Sequence, residues 1–219
     1  MQGLDEIKKL ADVPMTDDKE TRRVEIIMLK YKEEPTVIND AVGRLINNTD
    51  HPFKLVIFDN RLNTANTSRA WNKLIKESTC DYVCIIDSDC FVPENWLSRM
   101  MESIDETGIV IPLVDNTGSP SHKGTKADNY PSSQRNRGIW SGMCFLFKKS
   151  VYEQLGAFDD RFYLYGQDSE WAFRSQKIGN AVIRRDVFVH HIGNYSMSKR
   201  DDSSLDKIYA NKLYNYLTK

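Results

Sequence analysis

Tyr82-Val83-Cys84-Ile85-Ile86-Asp87-Ser88-Asp89 is the stretch on which the fold of this chain turns. An apolar run of strand length ends abruptly in two carboxylates one residue apart. Residues i and i+2 of an extended chain point the same way, so Asp87 and Asp89 face one direction. Two such carboxylates repel unless a cation lies near them. Hard divalent ions such as Mg2+ and Mn2+ prefer carboxylate oxygens and usually share their site with a phosphate. A solvated acidic turn gives the same three letters by chance; the buried strand in front of them favours a site.

Working outward, the same pattern repeats. VEIIML (Val24–Leu29) and KLVIFD (Lys54–Asp59) precede it as apolar strands, and GIVIPLV (Gly108–Val114) follows. Between them lie helical spacings: Ile38, Val42, Leu45 and Ile46 behind Pro35 and Thr36; Ala70, Trp71, Leu74 and Ile75; and Trp96, Leu97, Met100, Met101 and Ile104 behind Pro93. Alternating strands and helices with continuous apolar strands predict an α/β fold with a mostly parallel central sheet flanked by helices. Ligands of such sheets bind beyond the carboxyl ends of the strands, where Asp59 and Asp87 both fall.

Residues 115–138 interrupt the rhythm with almost no apolar residue, as a lid, a binding loop or an unstructured insertion would. Order resumes with a predicted strand IWSGMCFLF (Ile139–Phe147) and a short helix from Ser150 to Leu155 closed by Gly156. A longer helix follows from Gln167 to Ile178, closed by Gly179, then a last strand AVIRRDVFVHH (Ala181–His191). Residues 1–22 read as a charged appendage with a small amphipathic stretch at Leu4, Ile7 and Leu10. Leu205, Ile208, Tyr209 and Leu213 suggest a C-terminal helix over residues 199–219, expected to pack on the domain.

With 219 residues, one large domain with appendages is expected, and 40% hydrophobic residues suffice for a core. Lys plus Arg is 30 against 31 for Asp plus Glu, so no basic field points to nucleic acid. No apolar run is long enough to span a membrane, and the opening residues are charged where a secretory signal would be apolar. These features predict a soluble, cytoplasmic protein. Cys80, Cys84, Cys90 and Cys144 include no Cys-x-x-Cys pair, and Cys84 and Cys144 stand in apolar runs. They read as buried thiols, not as a zinc site.

Further candidates come from chemistry. Asp59, at a strand end, could accept hydrogen bonds from a ribose or base, or merely cap a turn. Glu33 lies just past the first strand. Asp159, and Asp168 or Glu170 near a helix start, belong to an acidic, aromatic cluster. There the helix dipole favours a carboxylate in any case, and a carboxylate over a bound hydroxyl is a general base. His190 and His191 end the last strand, one on each face, and a neutral imidazole could complete a metal site with Asp89.

The ordered set of motifs resembles the family 2 glycosyltransferases of the GT-A fold, from about Val24 to Ser196. VEIIMLKYKEE resembles the opening strand with its following polar residues, with Lys32 in place of the commoner Asn; KLVIFDN the strand with the nucleotide-binding Asp. SRAWNKLIKES resembles the next helix with its Asn, here Asn72, and YVCIIDSD the Asp-x-Asp strand. WSGMCFLFKKSVYEQLGAFDDRF resembles the acceptor-side segment, including Gly142, Gly156 and Asp159. YGQDSEWAFR resembles the Glu-Asp helix start with Gln167 for the usual Glu, and HIGNYS the closing His-x-Gly segment.

The resemblance implies a single GT-A (Rossmann-like) domain over residues 23–198. Within it, residues 23–114 would bind the nucleotide sugar, 115–138 would be a flexible loop, and 139–198 would be the acceptor and catalytic half. It implies a metal-dependent inverting transfer from a nucleoside-diphosphate sugar, UDP favoured over GDP or dTDP, to a glycan or glycoconjugate hydroxyl. Tyr31, Glu33 and Asp59 would hold the nucleoside, with Asp87 and Ser88 at the ribose or sugar. Asp89 and His191, with His190 the other choice, would hold Mn2+ or Mg2+. Asp168 would be the base, with Asn72, Trp140, Gly142 and Asp159 on the substrate. A lipid-linked acceptor would require only peripheral membrane contact. Two rivals are a nucleotide- or glycan-binding protein on the same fold, which Gln167 admits, and a haloacid-dehalogenase-like phosphatase, which shares Asp-x-Asp but expects Thr or Val where Phe91 stands.

Overall fold

The computed structural model describes residues 22–31, 33–63, 66–193, 208, 211–213 and 215–216. The amphipathic stretch at Leu4, Ile7 and Leu10, Lys32, the segment from Asn194 to Ser196, and Leu205 and Tyr209 of the C-terminal helix lie outside these residues. Ile208, residues 211–213 and residues 215–216 are helical.

The three apolar runs of the first half form strands β1 (Val24–Lys30), β2 (Phe53–Asp59) and β3 (Tyr82–Asp87). β1 lies between the others, parallel to both, with Lys30 opposite Asp59 and Leu29 opposite Asp87. Their ends are therefore level, at one rim of the sheet. Successive residues serve opposite faces. Ile26 and Met28 pack with Ala41 and Leu45 of helix α1 (Pro35–Asn48), and Ile27 packs with Trp71, Leu74 and Ile75 of α2 (Thr67–Glu77). Pro35 opens α1, where its missing N–H costs nothing. The Asn66 side chain caps α2 by accepting from the Arg69 N–H. Each buried aliphatic side chain contributes about 1.5–3 kcal/mol of burial.

After the two-residue strand β4 (Cys90–Phe91) come the short helices α3 (Trp96–Glu102) and α4 (Ile104–Thr107), then β5 (Ile109–Val114). Pro93 does not open α3; the helix starts only at Trp96, after Asn95 in the left-handed conformation. β6 (Ser133–Arg135), β7 (Cys144–Lys148), α5 (Lys149–Leu155), α6 (Gln167–Ser175) and β8 (Val182–His191) complete the chain. A 3₁₀ turn extends α6 to Ile178.

The strand order is β2-β1-β3-β7-β5-β8-β4, with β6 also on β8. β1, β2, β3, β5 and β8 all run one way, whereas β7 is antiparallel to both its neighbours, β3 and β5. This is a mixed α/β fold whose sheet is mostly parallel. Pro112 of β5 sits at an irregularity, where the partner of the next residue jumps from the Arg184 region of β8 to Phe188. A proline inside a sheet needs such a place, because it brings no N–H to the ladder. The bulged residues fold Arg184 onto Asp186, a buried ion pair.

One expected strand needs correction. Of the strand expected over Ile139–Phe147 only Cys144 onward pairs as β7. Ile139 is held instead by the Ser119 and Ser121 hydroxyls, Ser141 and Gly142 by the His122 and Asp168 side chains and Met143 by the Asp87 backbone N–H, and Trp140 is fully buried against Phe145 and Trp171. Within residues 115–138, Thr117, Ser119, His122 and Asn136 are buried, and β6 adds to β8. Among the described residues, no helix is long and apolar enough to cross a membrane.

Candidate active site

The rim where β1, β3, β5 and β8 end encloses a cavity of about 730 Å³, within the size range of small-molecule sites. The reversed strand β7 begins at this rim, so Gly142 and Met143 line it as well. Asp87 is held by its backbone N–H, which donates to the Met143 carbonyl at 2.8 Å. Tyr31 and Glu33 line the wall beyond β1, and the Glu33 carboxylate accepts from the Tyr31 N–H at 2.6 Å. Asn116, Thr117 and Ser119 form another wall, and Asn211 of the C-terminal helix also lines the cavity.

The Asp-x-Asp pair meets His191 here. His191 Nε2 is 3.3 Å from Asp89 Oδ1 and 4.0 Å from Asp87 Oδ2. Burial disfavours the His191 imidazolium, but the hydrogen bond to Asp89 and the charges of Asp87 and Asp89 outweigh it and raise its pKa. Asp87 is pushed well above the usual carboxylate range, by burial first and then by Asp89, Asp168 and Glu33. Carboxylates that hold extra protons are groups that a divalent cation would discharge.

The donor set fits a hard ion. Ligand atoms of Asp89, Cys90 and His191 lie within 4.8 Å of one another. Asn116, in the left-handed region at φ 43°, donates through Nδ2 to the His191 carbonyl at 2.7 Å, and its own carbonyl lies 3.3 Å from His191 Nδ1. That contact favours a proton on Nδ1, and Nε2, which donates to Asp89 here, is the nitrogen a bound ion would take once it gave up its proton. Cys90 is a poorer donor: burial and the neighbouring carboxylates raise its thiol well above the ordinary range, and it donates to the Met143 carbonyl. Mn2+ or Mg2+ would take Asp89 and His191 and leave the protonated thiol aside.

His190 faces the other way. It bonds Asp115 through Nδ1 at 2.5 Å and stacks on Phe91. The alternation of β8 thus puts His191, not His190, beside Asp89.

Asp168 stands at the start of α6 and lines the same cavity. Burial raises its pKa, opposed by the Gly142 N–H, which donates to Oδ2 at 2.7 Å. A Cβ on Gly142 would come 2.7 Å from the Asp168 Cβ, closer than two such carbons approach. Gly142→Ala should therefore cost about 1–3 kcal/mol, as overpacking does, and displace Asp168. Thermal unfolding checks this, and an unchanged Tm with unchanged activity would count against the packing argument.

Besides His190, four predicted residues lie elsewhere. Asp59 is buried with its carboxylate bonded by Arg61 and 3.7 Å from Lys30, and the hydrogen bonds from Arg61 lower its pKa despite burial. Its neighbour Asn60 lines the cavity in its place. Asn72 spends its amide on the 158 turn, donating to the Phe158 carbonyl and accepting from the Phe158 N–H and the Tyr152 hydroxyl. Asp159 is paired with Arg161. Trp140, being fully buried, offers no face to a sugar. Asn116, Asn60 and the hydroxyls of Thr117 and Ser119 were missed, because polar loop residues carry no periodic signal.

Comparison with known proteins defines the class. The crystal structure of GalNAc-T7 with UDP, GalNAc and Mn2+ superposes with a TM-score of 0.60 at 14% identity, over 80% of this chain and 44% of that one. S. aureus TarS superposes at 0.57 with 12% identity, over 81% and 38%, and its 1–349 form at 0.57 with 13% identity, over 76% and 60%. The chain spans less than half the length of the first two. The fold is that of the GT-A glycosyltransferases. The model described as glycosyl transferase family 2 matches residues 40–191, and the chain belongs to that family. No curated protein sequence matches it.

Proposed function

We propose that the chain transfers a sugar from a nucleoside-diphosphate donor to a hydroxyl of a glycan or glycoconjugate, with inversion at the anomeric carbon and with a divalent ion bound. The observation that carries this reading is the facing of Asp87, Asp89 and His191 against Asp168 across one cavity. Tyr31 and Glu33 would border the nucleoside, with Asn60 where Asp59 was expected. Asp87 and Ser88 would lie at the ribose or the sugar. Asp89 and His191 would hold the ion, which when bound supplies positive charge against the diphosphate leaving group.

Asp168 takes the proton of the acceptor hydroxyl as its oxygen bonds the anomeric carbon from the face opposite the diphosphate. The bond from that carbon to the diphosphate oxygen breaks, and its electron pair leaves with the nucleoside diphosphate. The wall formed by Asn116, Thr117 and Ser119 would limit access of water, the competing acceptor. A UDP-sugar is the favoured donor, consistent with a structural relative that binds UDP and Mn2+. The functional halves would be residues 23–114 and 139–198.

The test is thermal unfolding with UDP, GDP and dTDP, each with and without Mn2+. A nucleotide at 100 times its Kd adds about 2.7 kcal/mol. One nucleotide should raise Tm only with the metal, and Asp89→Ala should abolish that shift. No shift with any nucleotide in folded protein would sink the proposal. Metal-dependent binding without transfer to any glycan acceptor would favour a binding protein instead.

A further inference from the structure

His122 belongs to none of the motifs above, yet it is fully buried and both ring nitrogens are engaged. The Ser141 backbone N–H donates to Nε2 at 3.2 Å, and Nδ1 lies 3.0 Å from the Pro112 carbonyl. A backbone N–H can only donate, so Nε2 carries no proton. Nδ1 therefore carries it and donates to Pro112. Burial holds the imidazole pKa below its ordinary value, so the ring stays neutral and keeps both bonds.

The next amide along the chain is that of Gly142, which donates to Asp168 Oδ2. Two consecutive amides thus run to two acceptors, an imidazole fixed to β5 and the carboxylate. Gly142 has no side chain to steady it and needs fixed neighbours to aim its N–H. Ser119 and Ser121 hold the Ile139 carbonyl, at 2.6 and 3.0 Å, two residues before Ser141. Of these contacts, His122 alone holds the amide next to Gly142.

We propose that His122 is a positioning residue for Asp168, fixing the Ser141–Gly142 backbone so that the Gly142 N–H is aimed at Oδ2. Its catalytic consequence rests on the reading of Asp168 as the base; the geometry does not. The charged group that the cavity brings against Asp168 is Asp87 of β3, and on its own helix Glu170 is paired with Arg174. Substitution at His122 leaves those charges in place. It frees the Ser141 amide, so the Gly142 N–H is no longer held on Oδ2 and favours the carboxylate less, which moves the titration of Asp168 to higher pH.

Ser141–Gly142 is the one Ser-Gly dipeptide in the sequence. Protein labelled with carbonyl-¹³C serine and ¹⁵N glycine therefore gives a single ¹³C–¹⁵N correlated amide signal, readable without any ligand. In wild type this signal should lie downfield and titrate with Asp168, and Asp168→Asn should remove the titration. In His122→Phe the downfield shift should be lost and any remaining titration midpoint should rise. His122→Gln, whose amide can both donate and accept, should restore part of both. An unchanged signal and midpoint in folded His122→Phe would overturn the proposal. Should that variant not fold, the wild-type imidazole decides: ¹⁵N shifts must show a neutral ring protonated at Nδ1, and an Nε2–H ring would overturn it. If Asp168→Asn kept full transfer activity, the base assignment would fall while the positioning result stood.

Discussion

Asp168→Asn is expected to lower kcat by about 10²–10⁴-fold, the usual effect of removing a general base, while nucleotide binding persists. The amide oxygen of Asn can still accept the Gly142 N–H, so the site keeps its shape. What is lost is the capacity to take a proton. The base works only when ionised, so wild-type activity is present above its pKa and falls about tenfold per pH unit below it. Because burial raises that pKa against the pull of the Gly142 N–H, the acid limb should lie above the ordinary carboxylate value of about 4. Stability should respond in the opposite sense. A carboxylate whose folded pKa is raised destabilises the fold at pH values above it. The Asn variant should therefore unfold at the same or a higher temperature at neutral pH. Retained kcat would remove Asp168 from the mechanism, and an acid limb near pH 4 would remove the burial argument.

Asp186→Ala is expected to cost about 3–5 kcal/mol, the range for stranding one member of a buried ion pair. Arg184 and Asp186 are 3% and 4% exposed and share two hydrogen bonds, at 2.9 and 2.8 Å. Arg184 also reaches Glu102, and Arg99 donates to the Asp186 carbonyl. Removing Asp186 leaves a guanidinium in the bulge of β8 with only the exposed Glu102 as counter-charge. Burial raises the Asp186 pKa, but the hydrogen bonds and charge of Arg184 outweigh it, and the net shift is downward. A lowered carboxylate pKa contributes stability above the unfolded value of about 4 and loses it as the pH falls through the folded value. Urea unfolding at neutral pH and near pH 3 should show a smaller gap between wild type and variant in acid. A loss under about 1 kcal/mol at neutral pH would show that the pair is not worth its burial. Replacing both residues by apolar ones should recover most of the stability.

The first half of the fold was legible because each strand is an apolar run that stops at a carboxylate or a polar turn. Burial of such strands leaves few alternatives to a wrapped parallel sheet, and their level ends put Asp87 on the rim. β7 was harder to read. The residues before Cys144 are as apolar as a strand, but apolar character reports burial and not partners. Trp140 is buried by packing on other aromatic rings, with no strand beside it. Alternation along β8 told that His190 and His191 part company, the resemblance of HIGNYS favoured His191, and the pairing of β8 with β4 sets His191 beside Asp89. Asp59 and Asp159 looked available because a sequence does not show that a basic side chain two residues on folds back: Arg61 and Arg161 each do so. His122 and Asn116 act only through loop closure, which leaves no periodic trace.

The reversed strand has a consequence for how the chain reaches this state. β7 is threaded between β3 and β5, and its partners Tyr82–Ile86 come some sixty residues earlier in the chain. Until the polypeptide has been made through Lys148, β3 and β5 have no common neighbour, and the centre of the sheet is open. Residues 23–114 are therefore not expected to fold on their own, and neither is the segment that follows them. Amides of β3, β5 and β7 should exchange with solvent together, in one cooperative opening. A chain truncated after Val114 should leave an open edge on β3 and no partner on either side of β5, and associate with itself. Closing so many distant contacts at once is slow, so refolding should be rate-limited by the arrival of this one strand.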